Sequence, residues 1–394
     1  ENLFNQCHLR AILYFDTPLF FCAYSVFDLR YASARAYPCP EAGAEAWVST
    51  GGDIGKQMLS KIVKMILKPA NFIGIYAGYI DKISDICQKP DTMEPIRSFE
   101  QLTRHLQTQN RRKRIAVVCA NDPNTEYAIA RSLEEGIAEF LMIGNPAILE
   151  RYPTLKQYPD LVHVIPEDDP DTAARRAVQI VREGKADILM KGIINTDNLL
   201  HAILDKEHGL LPKGKILTHL AVVQIPTYDK LLFFSDAAVI PRPTLQQRIE
   251  MIQYAIRSCR HFGIMQPRIA LIHCTEKVSA KFPHSLDYVN IVELAEAGEF
   301  GDVIIDGPLD VKTACEKTSG DIKGIVSPIG GEADVLIFPN IESGNAFYKT
   351  VSLFCHADMA GLLQGPVCPV VLPSRSDSGL SKYYSIAMAC LTSV

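Results

Sequence analysis

The segment PSRSDSG, Pro373 to Gly379, stands between an apolar strand-like run, PVCPVVL, and a helix-like run, LSKYYSIAMACL. A turn joining strand to helix needs Gly, Asn or Pro and has no need of a guanidinium. Arg375 offers a planar fork that matches the oxygens of a phosphate in bidentate fashion, which a lysine ammonium cannot do. Ser374 and Ser378 add hydroxyls and Asp377 a carboxylate. Three other segments carry similar chemistry. ADILMKG ends in Lys191 and Gly192, with Thr196 placed to open the next helix; GDVIIDGPLD ends in Asp306, Gly307 and Pro308. DVLIFPNIESGNAFYK places Ser343, Gly344 and Asn345 at a helix start, with Tyr348 and Lys349 roughly one turn further on.

Each residue also has an ordinary reading. Ser343, Ser378 and Asp377 are good helix caps, a lone Arg375 suits a surface ion pair, and Gly before a helix is common. Brought together at the carboxyl ends of separate strands, they describe an anion site. Helix N-termini present unpaired N–H groups with partial positive charge, and Gly344 would let the backbone approach a ligand.

Other chemistries lack their motifs. There is no GxxxxGK[ST] and no GxGxxG, so neither an NTPase loop nor a standard dinucleotide reader is supported. His273–Cys274–Thr275–Glu276 lacks the i, i+4 histidine pair of a zinc helix, and no metal is expected. Ser374 has no nucleophile elbow GxSxG around it, which disfavours an acyl-serine enzyme.

The elements that must hold these residues alternate. From Arg114 onward, RIAVVCA, AEFLMIG, LVHVIP and ADILMKG are short apolar runs separated by helical patterns. One helix has an acidic first turn, DDPDTAARRAVQIVREG, and stops at Gly184. Uninterrupted apolar strands between helices predict a parallel sheet covered on both faces. The middle departs from the pattern: LTHLAVVQIP and KLLFFSDAAVI are separated only by TYD, which reads as a hairpin. A long helix from Thr244 to about Phe262, RIALIHC, a helix near Ser285 to Ala297, GDVIIDGPL and ADVLIFP then resume the alternation. Two α/β layers joined by an antiparallel element suggest two domains with a cleft, and ligands of such sheets bind outside the carboxyl ends of the strands.

Composition agrees. With 394 residues, 47% hydrophobic and 22% charged, the chain reads as an ordinary globular protein of more than one core. A net charge of −5 gives no support for a nucleic-acid partner, and RRKR at Arg111 to Arg114 reads as a solvated lead-in to a buried strand. Eleven cysteines without a CxxC pair, several inside apolar runs, suggest a reduced, cytoplasmic protein. Residues 1–92 show no clean alternation. AILYFDTPLFFCAYSVF is broken by Asp16 and Pro18 and is short of the roughly 20 apolar residues of a membrane span. Ile54 to Lys68 reads either as a basic amphipathic helix or as a helix packed on the body or a loosely ordered extension. The expectation is that Met93 is the natural start and that residues 1–92 add nothing to the chemistry.

The blocks IFPNIESGNAFYKT and QGPVCPVVLPSRSDS closely resemble the phosphate acetyl/butyryltransferase family, and DILMKGIINTDNLL, LLFFSDAAVIPRPTLQQRIEMI and DVIIDGPLDVKTAC agree. The resemblance runs from about Met93 to the C-terminus. IESGN, DGPL and SR-x-DS look more like the butyryl branch than the acetyl branch. It implies two three-layer αβα domains, mostly parallel, with a cleft between them, in the manner of isocitrate and isopropylmalate dehydrogenases. The first domain would be 93–222 completed by 364–394, and the second the inserted 223–363.

The same resemblance implies the reaction acyl-CoA plus phosphate giving acyl phosphate plus CoA, with coenzyme A as substrate, no cofactor, and a homo-oligomer of at least two chains. Ser374 and Arg375 match the family's catalytic pair, and Tyr348–Lys349 its GN-x-x-YK element; Lys191, Thr196, Asp306, Gly344, Asn345 and Asp377 join them as substrate-binding candidates. Where the acetyl branch has a catalytic Asp seven positions after the Ser, this chain has Ser381; Asp377 is a substitute base or a cap. Butyryl-CoA is the expected substrate, with Ile193, Phe338 or Phe347 lining an acyl pocket or packing the core. The alternatives are a phosphate acetyltransferase, an NAD-dependent decarboxylating dehydrogenase of similar architecture, and a non-catalytic CoA-binding module.

Overall fold

The computed structural model describes residues 94–109 and 111–393. The expectations for residues 1–92, the amphipathic helix at 54–68 among them, lie outside the described residues.

The chain opens with α1 (Phe99–Thr108), β1 (Lys113–Val118), α2 (Pro123–Glu134), β2 (Ala138–Gly144) and a short α3 (Ile148–Arg151). It continues with β3 (Val162–Pro166), α4 (Pro170–Arg182), β4 (Ile188–Lys191) and α5 (Thr196–Leu204). The two middle strands are β5 (Thr218–Gln224) and β6 (Leu232–Ser235). After them come α6 (Leu245–His261), β7 (Arg268–Ile272), α7 (Pro283–Glu296), β8 (Ile304–Leu309), α8 (Val311–Cys315), α9 (Lys317–Lys323) and β9 (Val335–Ile337). The chain ends with α10 (Ile341–Phe354), β10 (Asp358–Gln364), the two-residue β11 (Val370–Val371) and α11 (Gly379–Thr392).

Local chemistry sets the helix starts. Asp122 and Asp169 are N-caps followed by Pro at the first helical position, and their side chains accept from the N–H of Thr125 and Thr172. Thr244 and Gln247 form a reciprocal capping box at the head of α6. Helix α10 begins earlier than the sequence suggests: Asn340, not Ser343, is its N-cap, accepting from the Ser343 N–H at 2.9 Å. Its carboxamide competes better because it lies three residues before that N–H, while Ser343 is already inside the helix.

All eleven strands of the described residues join one sheet, in the order β3-β2-β1-β4-β11-β10-β5-β6-β9-β7-β8. The first five pair in parallel, as do the last four. Between these sets, β10 pairs antiparallel with β11 and β5, and β5 antiparallel with β6. The hairpin read from LTHLAVVQIP and KLLFFSDAAVI is therefore present. The antiparallel strands β5 and β10 join both parallel sets into a single sheet.

Strand pleating divides the core. In β1, Ile115 and Val117 face the large apolar cluster that also holds Phe99, Phe233 and Tyr383, whereas Ala116 and Val118 face the cluster of Val178 and Leu189. In β6, Phe233 faces the first cluster and Phe234 a third one with Leu336 and Met359. Burial on both faces is what makes these strands uninterrupted apolar runs. The last helix, α11, returns across the sheet to pack on α1, α2 and β10, which brings its first turn beside the start of α2. Among the described residues no helix is long and apolar enough to cross a membrane.

Candidate active site where β1, β4 and β11 end

The parallel strands β1, β4 and β11 are neighbours in the sheet, so the segments that leave their carboxyl ends meet. They enclose a cavity of about 120 Å³ lined by Asp122, Pro123, Asn124, Lys191, Gly192, Ile193, Pro373, Ser374, Arg375 and Lys382. That space is enough for several waters or a small anion.

Three cations and one carboxylate face it, and among the described residues only one of the cations is paired by a carboxylate. Lys382 donates to Asp122 at 2.7 Å and to the Thr125 hydroxyl at 2.9 Å. Burial alone would raise Asp122, but the hydrogen bonds from Lys382 and Thr125 outweigh it and hold the carboxyl below its usual range. Arg375 lies exposed and donates to the Asn195 side chain at 2.6 Å. Lys191 is 2% exposed, and its ammonium meets only the Gly192 carbonyl, at 3.2 Å. Burial, then the charges of Arg375 and Lys382, push its pKa down against the opposing pull of Asp122 and Asp377. A buried cation without a counter-charge is costly unless an anion arrives.

The PSRSDSG turn is braced from within. Asp377 accepts from the Ser374 N–H at 2.8 Å, and its own N–H donates to the Ser374 carbonyl at 3.2 Å. Ser378, not Asp377, caps α11, accepting from the Ser381 N–H at 3.1 Å. The Ser374 hydroxyl lies 3.1 Å from that of Ser376.

The other candidates fall into three places. Tyr348 approaches the same turn from α10: burial, and then the neighbouring Asp377 carboxylate, push the Tyr348 hydroxyl's pKa well up. The Lys349 ammonium stands 4.9 Å from the centre of the Tyr348 ring. Thr196 opens α5 one residue after Asn195, the partner of Arg375. Gly344 and Asn345 meet protein instead of cavity. A Cβ on Gly344 would lie 2.1 Å from the Asp236 carbonyl oxygen, and Asn345 donates to the Ala237 carbonyl at 2.9 Å. Asp306 stands apart, on edge strand β8, six strands from β11 and thus about 30 Å along the sheet. There its carboxylate accepts from Ser327 and from the Gly307 N–H.

Sequence reasoning missed Asp122, Asn195 and Lys382. Asp122 reads as an ordinary cap, but Lys382 carries a signal: it is the one charge in LSKYYSIAMACL, and a charge in an otherwise apolar helix implies a buried partner. A wider depression of about 470 Å³ lies over β1–β3, where Arg114 pairs with Glu139 at 2.8 Å.

An α/β sheet with a small cationic cavity at its strand ends is suited to holding an anion, and similarity to known proteins gives the class of enzyme. Residues 169–390 match the phosphate acetyl/butaryl transferase family model. Phosphate butyryltransferase of Clostridium acetobutylicum is 33% identical over 298 residues, 75% of this chain and 98% of that protein. Phosphate acetyltransferase of Thermotoga maritima is 34% identical over 284 residues, 71% of this chain and 95% of that protein. Among solved structures, a branched-chain phosphotransacylase from Enterococcus faecalis aligns with a TM-score of 0.63 at 30% identity, covering 71% of this chain and 98% of that one. The chain belongs to the phosphate acetyl/butaryl transferase family and is an acyltransferase.

Proposed function

We propose that the protein transfers an acyl group between the sulfur of coenzyme A and inorganic phosphate, with butyryl-CoA preferred over acetyl-CoA. The observation that carries the phosphate half is Lys191: a buried ammonium without a carboxylate partner among the described residues, lining a small cavity with Arg375 and Ser374. In this reading Arg375 grips two phosphate oxygens and Lys191 neutralises the remaining charge. A phosphate oxygen attacks the thioester carbonyl carbon, the C–S bond breaks, and CoA leaves as its thiolate. Ser374 donates to the carbonyl oxygen as it gains charge. Two anionic partners repel, so positioning and charge compensation do most of the catalysis, each tenfold gain requiring about 1.4 kcal/mol. The chemistry needs no metal and no redox cofactor.

The butyryl preference rests on the IESGN, DGPL and SR-x-DS blocks. Relatives named for both acyl groups lie at 33% and 34% identity, so acetyl-CoA is the rival substrate. We read the antiparallel strands β5 and β10 as the boundary between a domain of 93–222 plus 364–394 and an inserted 223–363. Release of free thiol from acetyl-CoA and butyryl-CoA, with and without phosphate, tests the proposal. Phosphate-dependent release with a higher kcat/KM for butyryl-CoA is expected. An equal or higher value for acetyl-CoA would reverse the chain-length assignment, and no phosphate-dependent release would remove the reaction itself.

A further inference from the structure

Lys191, Gly192, Ile193 and Ile194 leave β4 in a fixed conformation. The Gly192 N–H donates to the Val118 carbonyl and the Ile193 N–H to the Cys119 carbonyl, both at 2.8 Å. A Cβ on Gly192 would lie 2.4 Å from the Cys119 carbonyl oxygen, so only glycine lets the two backbones touch. The side chains then part: Lys191 and Ile194 are each 2% exposed, while Ile193 keeps 47% of its surface in water. A single exposed isoleucine is ordinary in itself. This one is held by backbone bonds at the lip of the cavity that Lys191, Ser374 and Arg375 line. Pro123 and Pro373 supply the other apolar surfaces of that lining. The two other apolar candidates are committed elsewhere: Phe338 is buried, and Phe347 packs on Phe234 and Phe338 at ring separations of 5.1 and 5.2 Å.

A thioester whose carbonyl sits between Ser374 and a phosphate on Arg375 and Lys191 must send its alkyl tail out past the cavity lip. We infer that Ile193 is a specificity-determining residue, the apolar surface on which the acyl chain beyond the carbonyl lies. The inference rests on the acyl-transfer reading of this cavity and adds to it the residue that ranks chain length. Each methylene withdrawn from water onto such a surface contributes about fourfold.

The test is the ratio of kcat/KM for butyryl-CoA to that for acetyl-CoA, measured on the full chain and on Ile193→Ala and Ile193→Leu at saturating phosphate. Ile193→Ala is expected to lower the ratio by about fourfold or more, and Ile193→Leu, which keeps the apolar volume, to restore most of it. A ratio that Ile193→Ala leaves unchanged or raises overturns the inference, including the case in which both substrates slow equally. Absence of turnover by the unsubstituted chain with every acyl-CoA overturns the reaction on which the inference rests, and the two failures are told apart by that control.

Discussion

Lys382 of α11 donates to the Asp122 carboxylate, the N-cap of α2, across 2.7 Å and 260 residues of sequence. Lys382 is 3% exposed and Asp122 9%. The pair closes one wall of the cavity and fixes the last helix against the start of the first parallel set. Removing one partner leaves the other charge buried without its counter-charge, so Lys382→Met is expected to cost about 3–5 kcal/mol in a denaturant titration. A double replacement, Lys382→Met with Asp122→Asn, should recover much of that loss; if it recovers none, the pair is not what the single variant broke.

The same pair sets an acid dependence. The hydrogen bonds from Lys382 and Thr125 lower the folded-state pKa of Asp122 below its unfolded value. The unfolded chain therefore takes up a proton first as pH falls. Stability from this group is complete above the unfolded carboxylate value of about 3.9 and is lost as pH falls from there through the lowered folded value. Thermal melts between neutral and acid pH should show Asp122→Asn flatter than the unsubstituted chain in that acid window; parallel curves would assign the acid sensitivity elsewhere.

Arg375→Lys should reduce turnover by more than about tenfold with the fold intact, because lysine keeps the charge and loses the two-pronged geometry. The exposed position and the single bond to Asn195 make a folding defect an unsuitable explanation for such a loss. Unchanged kinetics for phosphate would remove Arg375 as the phosphate anchor.

Much of this arrangement was legible from residue types at strand ends. Lys191, Ser374 and Arg375 do line one cavity, because a parallel sheet forces neighbouring carboxyl ends together whatever their separation in sequence. The hairpin of β5 and β6 was equally plain from the short TYD spacer. Sequence order alone does not say which strands are neighbours. Asp306 looked equivalent to Lys191 as a polar strand-end residue, yet strand order puts β8 at the far edge. Asp122 and Lys382 escaped for the converse reason: a cap and a helix residue acquire meaning only once α11 returns to α2.

Gly344→Ala tests how tightly α10 packs. Gly to Ala inside a helix ordinarily gains about 1 kcal/mol. Here the added Cβ would stand 2.1 Å from the Asp236 carbonyl oxygen, a backbone atom that cannot rotate away. The substitution is therefore expected to destabilise, by about 1–3 kcal/mol. A gain in the denaturation midpoint would show that the helix yields without cost.

Lys191 is where binding and stability oppose one another. Burial, followed by the charges of Arg375 and Lys382, lowers its folded-state pKa relative to the unfolded chain. Between those two values the unfolded chain binds more protons, so the unliganded protein gains stability as pH rises through that interval. Phosphate selects the ammonium form and draws the pKa back up, so its affinity should weaken as pH rises past the lowered value. Lys191→Met removes the uncompensated charge while keeping an unbranched side chain of similar length. The expected result is a raised melting temperature without phosphate, an increase of more than about tenfold in KM for phosphate, and loss of the stabilisation that added phosphate confers on the unsubstituted chain. A variant that melts lower than the unsubstituted chain, or that keeps its phosphate-dependent shift in melting temperature, would show that Lys191 holds the fold and not the anion.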